Sequence, residues 1–500
     1  MRVLTKSKLL DFRRCPKLLW LEEHNQGGSE LTPEAKARIR AGVQVGDVAR
    51  RLYDRSGKGT SIDRRVAGVR RALQESAELL RTPQPLFEAG FSADGAQAFA
   101  DVMLPMRGAG KLAWRLIEVK SASKVKDYHR EDVAIQAYIA GAARVPLAAV
   151  ALAHVDTSWV YPGGEDYRGL LHEEDVTAEA IARKKEVKAW IADAHAVLRK
   201  RAEPAICTGA HCTEPWECGY LDYCQSQEPK VKYPVTWIPD QRTKALKTHI
   251  ENNNVTDMRK VPDDLLNALQ RRVKAQTLSG KPYFDAAGAA AALRAHKLPA
   301  YFLDFETISF AVPIWKGTRP YETIPFQFSV HRLSSTGKLE KDGFLDLSGT
   351  DPSRACAEAL IRACGERGPV FAYKAGFERT QIQGLATRYP KLKRPLLAIA
   401  ARLVDLHPIT RDHYYHPNQQ GNWSLKNVLP ALAPDLRYDQ LNGVQDGNMA
   451  MEAYRNAIDS ATAYAEKSKI ERQLREYCGL DTYAMVRIWE RFAGREKSQI

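Results

Sequence analysis

Residues 300–310 read AYFLDFETISF, and this short run decides how the C-terminal part of the chain is understood. Asp304 and Glu306 stand two apart in an apolar segment flanked by Tyr301, Phe302, Leu303, Phe305 and Ile308. Alternate residues of a strand point to the same side, so the spacing predicts two carboxylates on one face of a buried strand. Two anions held so close in an apolar setting repel each other and lose hydration. A divalent cation removes both difficulties. An exposed edge strand with solvated acids would account for the pair only if its neighbours were polar, and they are not.

Working outward, REYCGLDTYAMVRIWERF (475–492) has a helical pattern in which Tyr477 and Asp481 lie one turn apart on the same face. A tyrosine beside a metal-binding Asp suits phosphodiester hydrolysis, where a cation and the hydroxyl orient water. Between the two segments lies AYKAGFERTQI (372–382), which offers Glu378. Asp405 in LVDLHP (403–408) is the alternative acid.

The Asp-x-Glu strand, the acidic middle segment and the Tyr-x3-Asp helix together resemble the DEDD exonucleases of the tyrosine variant. That resemblance implies a ribonuclease H-like fold and 3′→5′ exonuclease activity with Mg²⁺ or Mn²⁺. It gives Asp304, Glu306, Glu378 and Asp481 as metal ligands and Tyr477 as a catalytic residue. The chain departs from the family at Glu378, where an Asp is usual, and at Lys374, where an Asn is usual. IPFQFSVHRL (324–333) and YYHP (414–417) with GNWSLKNVLPAL (421–432) are similar to a little-characterised bacterial family that joins this module to a second one. Lys374, Trp423 and Lys426 are candidate substrate-binding residues, with Tyr414 and Tyr415, by phosphate contact and base stacking. For the aromatics a core role is the competing reading.

Nearer the N-terminus, Asp101 sits in a strand-like run (FADVMLP, 99–105), and AWRLIEVKS (113–121) places Glu118 and Lys120 on one face of the next strand. Two carboxylates on adjacent strands can hold Mg²⁺ or Mn²⁺, and a lysine beside them can stabilise charge developing on phosphate. The following helix supplies Gln136 and Tyr138. Alone, an Asp followed by Glu-x-Lys is a common solvated-strand pattern.

The cysteines add to it. Of the eight, Cys207, Cys212, Cys218 and Cys224 crowd together, whereas Cys356, Cys364 and Cys478 are isolated. Cys212, Cys218, Cys224 and the distant Cys15 supply four thiolates, a set that suits an iron–sulfur cluster or Zn²⁺. LTKSKLLDFRRCPKLLW (4–20), the late cysteine trio and the Asp…Glu-x-Lys core resemble PD-(D/E)XK nucleases with an iron–sulfur staple. The resemblance implies a restriction-endonuclease-like domain and a 4Fe–4S cluster on Cys15, Cys212, Cys218 and Cys224. It also implies a catalytic set of Asp101, Glu118, Lys120 and Gln136, with Asp101 and Glu118 as metal ligands and Tyr138 beside the substrate. The family's metal-binding His is missing from GVQVGDVAR (42–50), the cysteine spacing is wider than usual, and Cys207 with His211 rivals the ligand set.

The reading is an α/β protein: a PD-(D/E)XK-like domain at 1–228, a Pro-bounded helical connector at 229–296 and a DEDDy exonuclease-like domain at 297–500. Its 500 residues are too many for one ordinary core. A net charge of +14 favours a polyanionic partner, through counterion release from phosphates. DNA, as single strands or ends, is the expected substrate. RNA, or a nucleic-acid scaffold with degenerate sites, is the alternative. No apolar run approaches the ~20 residues that span a bilayer, and the N-terminus lacks the uninterrupted apolar core of a signal peptide. The expected setting is therefore cytoplasmic, without a membrane partner.

Overall fold

A computed structural model describes residues 3–24, 32–108 and 111–495. The chain divides into two compact units, residues 1–229 with 309–322, and residues 230–308 with 323–500. Residues 230–296 thus fold with the second unit, and the short stretch 309–322 folds with the first.

The first unit is built on a seven-stranded mixed sheet. Its strands are β1 (Leu4–Thr5), β2 (Thr60–Ser61), β3 (Leu86–Ala93), β4 (Ala96–Gly108), β5 (Lys111–Lys120), β6 (Leu147–Val155) and β7 (Leu171–Asp175). The order is β2-β3-β4-β5-β6-β7, with β1 parallel to β4. β3, β4 and β5 form an antiparallel meander, and β6 runs parallel to β5. A parallel pair needs a crossover, and the helix Asp127–Ala142 provides it. That helix is buried on almost every side, with Val133, Ile135 and Ile139 packed into the main core. Arg64–Ala67 and Val69–Leu79 are two helices parted at Gly68, whose φ of +79° a residue with a side chain rarely adopts. Thr177–Ala182 and Lys184–Leu198 are likewise separate helices. A smaller core joins Val45, Val48, Val155 and Leu170 with Ala311 and Val312 of the 309–322 stretch.

The second unit holds a strand pair, β8 (Tyr283–Phe284) with β14 (Tyr414–Tyr415), and a five-stranded sheet. The sheet strands are β9 (Ala300–Ile308), β10 (Ile324–Leu333), β11 (Leu339–Leu345), β12 (Val370–Ala372) and β13 (Leu403–Asp405), in the order β11-β10-β9-β12-β13. β10 is antiparallel to both neighbours, and β12 is parallel to both of its own. The strand carrying Asp304 and Glu306 is therefore central. One face is covered by the helices Ser353–Cys364 and Gly376–Arg388 through Leu360, Ile382 and Leu385, and the other by Tyr464–Phe492 through Met485, Ile488 and Trp489.

Candidate metal centre and its companion sites

In the second unit the carboxylates arrive from separate elements. β9 contributes Asp304 and Glu306, and the Tyr464–Phe492 helix contributes Asp481. Glu378 lies in the first turn of the helix that follows β12. Glu306, Glu378 and Asp481 are 7%, 3% and 8% exposed, so solvent does little to screen them from one another. Burial raises the pKa of Asp304 well above its ordinary range, and Asp481, Glu306 and Glu378 add to the effect. Glu306 is raised in the same way, by burial and by Asp481, with Asp446 adding and Lys426 opposing. Asp481 is pushed up to about 6 by burial, against the hydroxyls of Tyr438 and Tyr477 and the charge of Lys426. Glu378 is pushed up to about 8, mainly by burial.

Among the described residues, no Lys or Arg forms an ion pair with any of these four acids. One oxygen of Glu378, Oε2, is sealed from solvent without a hydrogen-bond partner. Buried acceptors are almost always satisfied, so this orphan is informative. Asp304 and Glu306 offer hard oxygens within 4.8 Å of each other, and Asp481 and Glu378 both act on Asp304. Such a set fits divalent cations of the Mg²⁺ or Mn²⁺ kind.

Asp405 answers differently. Its Oδ1 accepts backbone N–H groups of Lys374 and His407, both at 2.9 Å, capping the helix Leu406–His413. It is occupied structurally, and Glu378 remains the fourth acid. Lys374 is exposed with φ +64°, and Lys426 is exposed with Nζ 5.8 Å from the Tyr438 ring centroid. Trp423 does not offer a stacking face. It is buried beside Tyr415, and its Nε1–H donates to the Tyr414 carbonyl at 2.7 Å. Tyr414 and Tyr415 are also buried, so the three aromatics build core.

Two groups at this centre escaped the sequence reading. Tyr438, in a single turn of 3-10 helix, donates its hydroxyl to Asp481 Oδ1. Cys478, read as isolated, lies with Sγ 3.7 Å from Asp304 Oδ2. A helical position next to Tyr477 and three before Asp481 was the available signal.

In the first unit the structure brings Asp101, Glu118, Lys120 and Gln136 together and adds two residues. Lys6 Nζ and Lys120 Nζ each lie 2.7 Å from Glu118 Oε1. Lys6 also pairs with Asp132 at 3.1 Å, and Lys120 bonds the same carboxylate. Gln136 Nε2 donates to Glu118 Oε2 at 2.7 Å and to Asp132 Oδ1 at 3.0 Å. Gln136 is fully buried and is held on Glu118 by the first of these bonds. Burial and Glu118 push Asp101 up to about 8, although its Oδ2 accepts the Val119 N–H at 2.7 Å. Asp132 lies well below the ordinary range because the two lysines outweigh its burial.

Asp101 and Glu118 border a cavity of about 530 Å³ that also meets Glu88, Arg50, Arg64 and Arg65. Tyr138 is not there. Residues two apart on a helix face nearly opposite ways, and its hydroxyl bonds Asp94 Oδ2 at 2.5 Å.

Cys15, Cys212, Cys218 and Cys224 line one small cavity, and Cys207 and His211 border it too. The five cysteines are free thiols. Burial raises Cys218 and Cys224, and each also senses Cys15 and Cys212. Four thiols around one cavity fit a metal centre. Among the described residues, however, Asp304, Glu306 and Cys478 are the one set of three ligand groups within 4.8 Å of one another. The four thiols are spread more widely than that.

What the second unit defines is an α/β domain with an acidic cluster, Asp304, Glu306 and Cys478, centred on its middle strand. Residues 301–424 match the model of a family described as a domain of unknown function (DUF2779). The matched stretch holds Asp304, Glu306 and Glu378 and ends before Tyr477 and Asp481. No curated protein matches the chain.

Proposed function

We propose that this chain is a metal-dependent nuclease whose second unit hydrolyses phosphodiester bonds of DNA from the 3′ end. One observation carries the reading: three buried carboxylates, Glu306, Glu378 and Asp481, act on the half-buried Asp304 without a compensating ion pair among the described residues and with an orphaned Glu378 oxygen. A ribonuclease H-like fold is supported by the mixed five-stranded sheet with the Asp-x-Glu strand at its centre.

Asp304, Glu306, Asp481 and Glu378 would hold the cations. When bound, these supply positive charge against the phosphate and Lewis acidity toward its oxygens. The chain's own groups do the rest. Burial and Asp481 keep the Tyr477 hydroxyl protonated, which leaves it a donor able to orient water. Tyr438 fixes Asp481 through its hydroxyl. Lys426 and Lys374, both exposed, are placed to meet phosphates of the substrate strand.

For the first unit, Asp101, Glu118 and Lys120 beside Arg50, Arg64 and Arg65 support a second phosphodiester site or a grip on DNA. Its Glu118 and Asp132 are already neutralised by Lys6 and Lys120, so its demand for a cation is weaker. The wide spacing of the four thiols favours an iron–sulfur cluster. A tetrahedral Zn²⁺ with bonds near 2.3 Å would draw them to about 3.8 Å apart. Protein purified without oxygen is therefore expected to be brown, absorbing broadly near ~400 nm, whereas a colourless zinc protein would refute the cluster.

End-labelled single-stranded DNA and RNA, incubated with Mg²⁺ or Mn²⁺, test the activity. The wild type is expected to give a 3′→5′ ladder on DNA. Asp304→Ala should lower the rate by roughly 10²–10³-fold, the scale of removing one preorganised electrostatic contact. Loss of a separate product set in Lys120→Ala would mark the first unit as a second nuclease, and an unchanged pattern would mark it as a grip. Binding without cleavage of either polymer under any divalent ion would replace the nuclease by a scaffold.

A further inference from the structure

The nuclease reading leaves Cys478 unused. Its side chain is fully buried, and its Sγ lies 3.7 Å from both the backbone oxygen and Oδ2 of Asp304. One ligand atom from each of Asp304, Glu306 and Cys478 falls within 4.8 Å of the other two. Packing alone accounts for a buried cysteine among apolar neighbours, where it acts as a small hydrophobe. It accounts poorly for a thiol set against paired carboxylates. Mg²⁺ gains little from such a neighbour, since hard cations take oxygen ligands. Sulfur next to carboxylates favours softer ions. A second observation beside it is an unsatisfied acceptor: Glu378, 3% exposed and close enough for its charge to raise Asp304, has an oxygen with no partner.

We propose that Asp304, Glu306 and Cys478 form a binding site for a thiophilic divalent cation, with Zn²⁺ as reference occupant and Cys478 Sγ as a direct ligand. When the ion enters, a sulfur–metal bond forms, the S–H proton passes to solvent, and nothing is oxidised or reduced. The inference rests on reading this centre as a metal site, and it does not require that the centre cleave anything. Zn²⁺ and Mg²⁺ then compete for the same carboxylates, and the thiol tips the competition toward Zn²⁺. Trace zinc becomes a regulator of a magnesium-type centre.

Cd²⁺ is the probe, because a thiolate bound to it gives an ultraviolet charge-transfer band. The full-length protein is titrated as wild type, Cys478→Ser and Asp304→Asn, with circular dichroism to hold the comparison to folded chains. Cysteines of the first unit contribute equally to all three, so the difference spectra isolate Cys478. Both variants are expected to lose the increment of one thiolate. Zn²⁺ affinity, read by competition, should fall at least roughly tenfold in Cys478→Ser, the loss that removing even an outer partner of a ligand produces. Mg²⁺ affinity should change less. Identical spectra and Zn²⁺ affinities in wild type and Cys478→Ser would overturn the proposal, and observed DNA cleavage would leave the nuclease reading standing. A thiolate band without cleavage under Mg²⁺ or Mn²⁺ would do the reverse.

Discussion

Glu378 carries a carboxylate that the fold buries and leaves half unpaired, and stability should report it. Its pKa is raised by burial from 4.5 to about 8 in the folded chain. A raised acid binds its proton more tightly in the native state, so ionisation weakens the fold. The penalty is absent below the unfolded value, grows as pH rises through the interval, and is complete above about 8. Metal-free protein is therefore expected to lose thermal stability as pH rises across that window. Mn²⁺ should raise Tm more at about pH 8 than at about pH 5, because only the ionised acids attract it. Glu378→Gln should flatten both trends, and equal Mn²⁺ gains at the two pH values would count against a carboxylate centre. The sequence revealed these acids unevenly. Asp304 and Glu306 were legible because two acids at strand spacing in an apolar run would repel each other without a cation between them. Tyr438 was not, since a lone turn has no periodicity to mark it, and Trp423 misled because an aromatic beside a lysine fits core and binding face equally well.

At the scale of elements, β12 brings the Glu378 helix to the central strand, and the turn entering β12 is narrow. Gly368 has φ +89°, and a Cβ there would lie 1.9 Å from the Pro299 carbonyl oxygen. Gly368→Ala should cost at least about 1–3 kcal/mol from the dihedral alone, with the collision adding to it. Urea unfolding would measure the loss, and a wild-type midpoint would mean that the turn relaxes freely. Of the Tyr464–Phe492 helix the sequence showed residues 475–492, whose period brings Tyr477 and Asp481 to one face, and not the first three turns before them. The same arithmetic could have found Asp132, one turn from Gln136, and Cys478. It also argued against Tyr138, because positions 136 and 138 cannot share a face. The helix breaks at Gly68 and near Arg183 were less visible, because tertiary packing sets where short helices stop.

On the whole-molecule scale the excess of fourteen positive charges makes binding a salt-dependent quantity. Affinity for single-stranded DNA is expected to fall with added salt, with a log–log slope of roughly −0.7 per phosphate neutralised. Arg64→Ala should make that slope shallower by about 0.7 if its guanidinium meets a phosphate beside the first cavity. Equilibrium titrations at several salt concentrations decide it, and an affinity insensitive to salt would remove electrostatics from the account. Length made more than one unit legible, but it gave no hint that residues 309–322 fold apart from their sequence neighbours. Nothing local marks such a stretch, because its partners Val45, Val48, Val155 and Leu170 lie far away along the chain.

That excursion has a genetic consequence. A gene cut after Pro229 would encode a first unit without Ala311 and Val312, and its small core would open to water. The remaining fragment would keep a stretch whose own fold had been removed. Neither half would then be a self-sufficient cassette, and a chain severed at that boundary is expected to give two fragments that each fold less stably than in the whole.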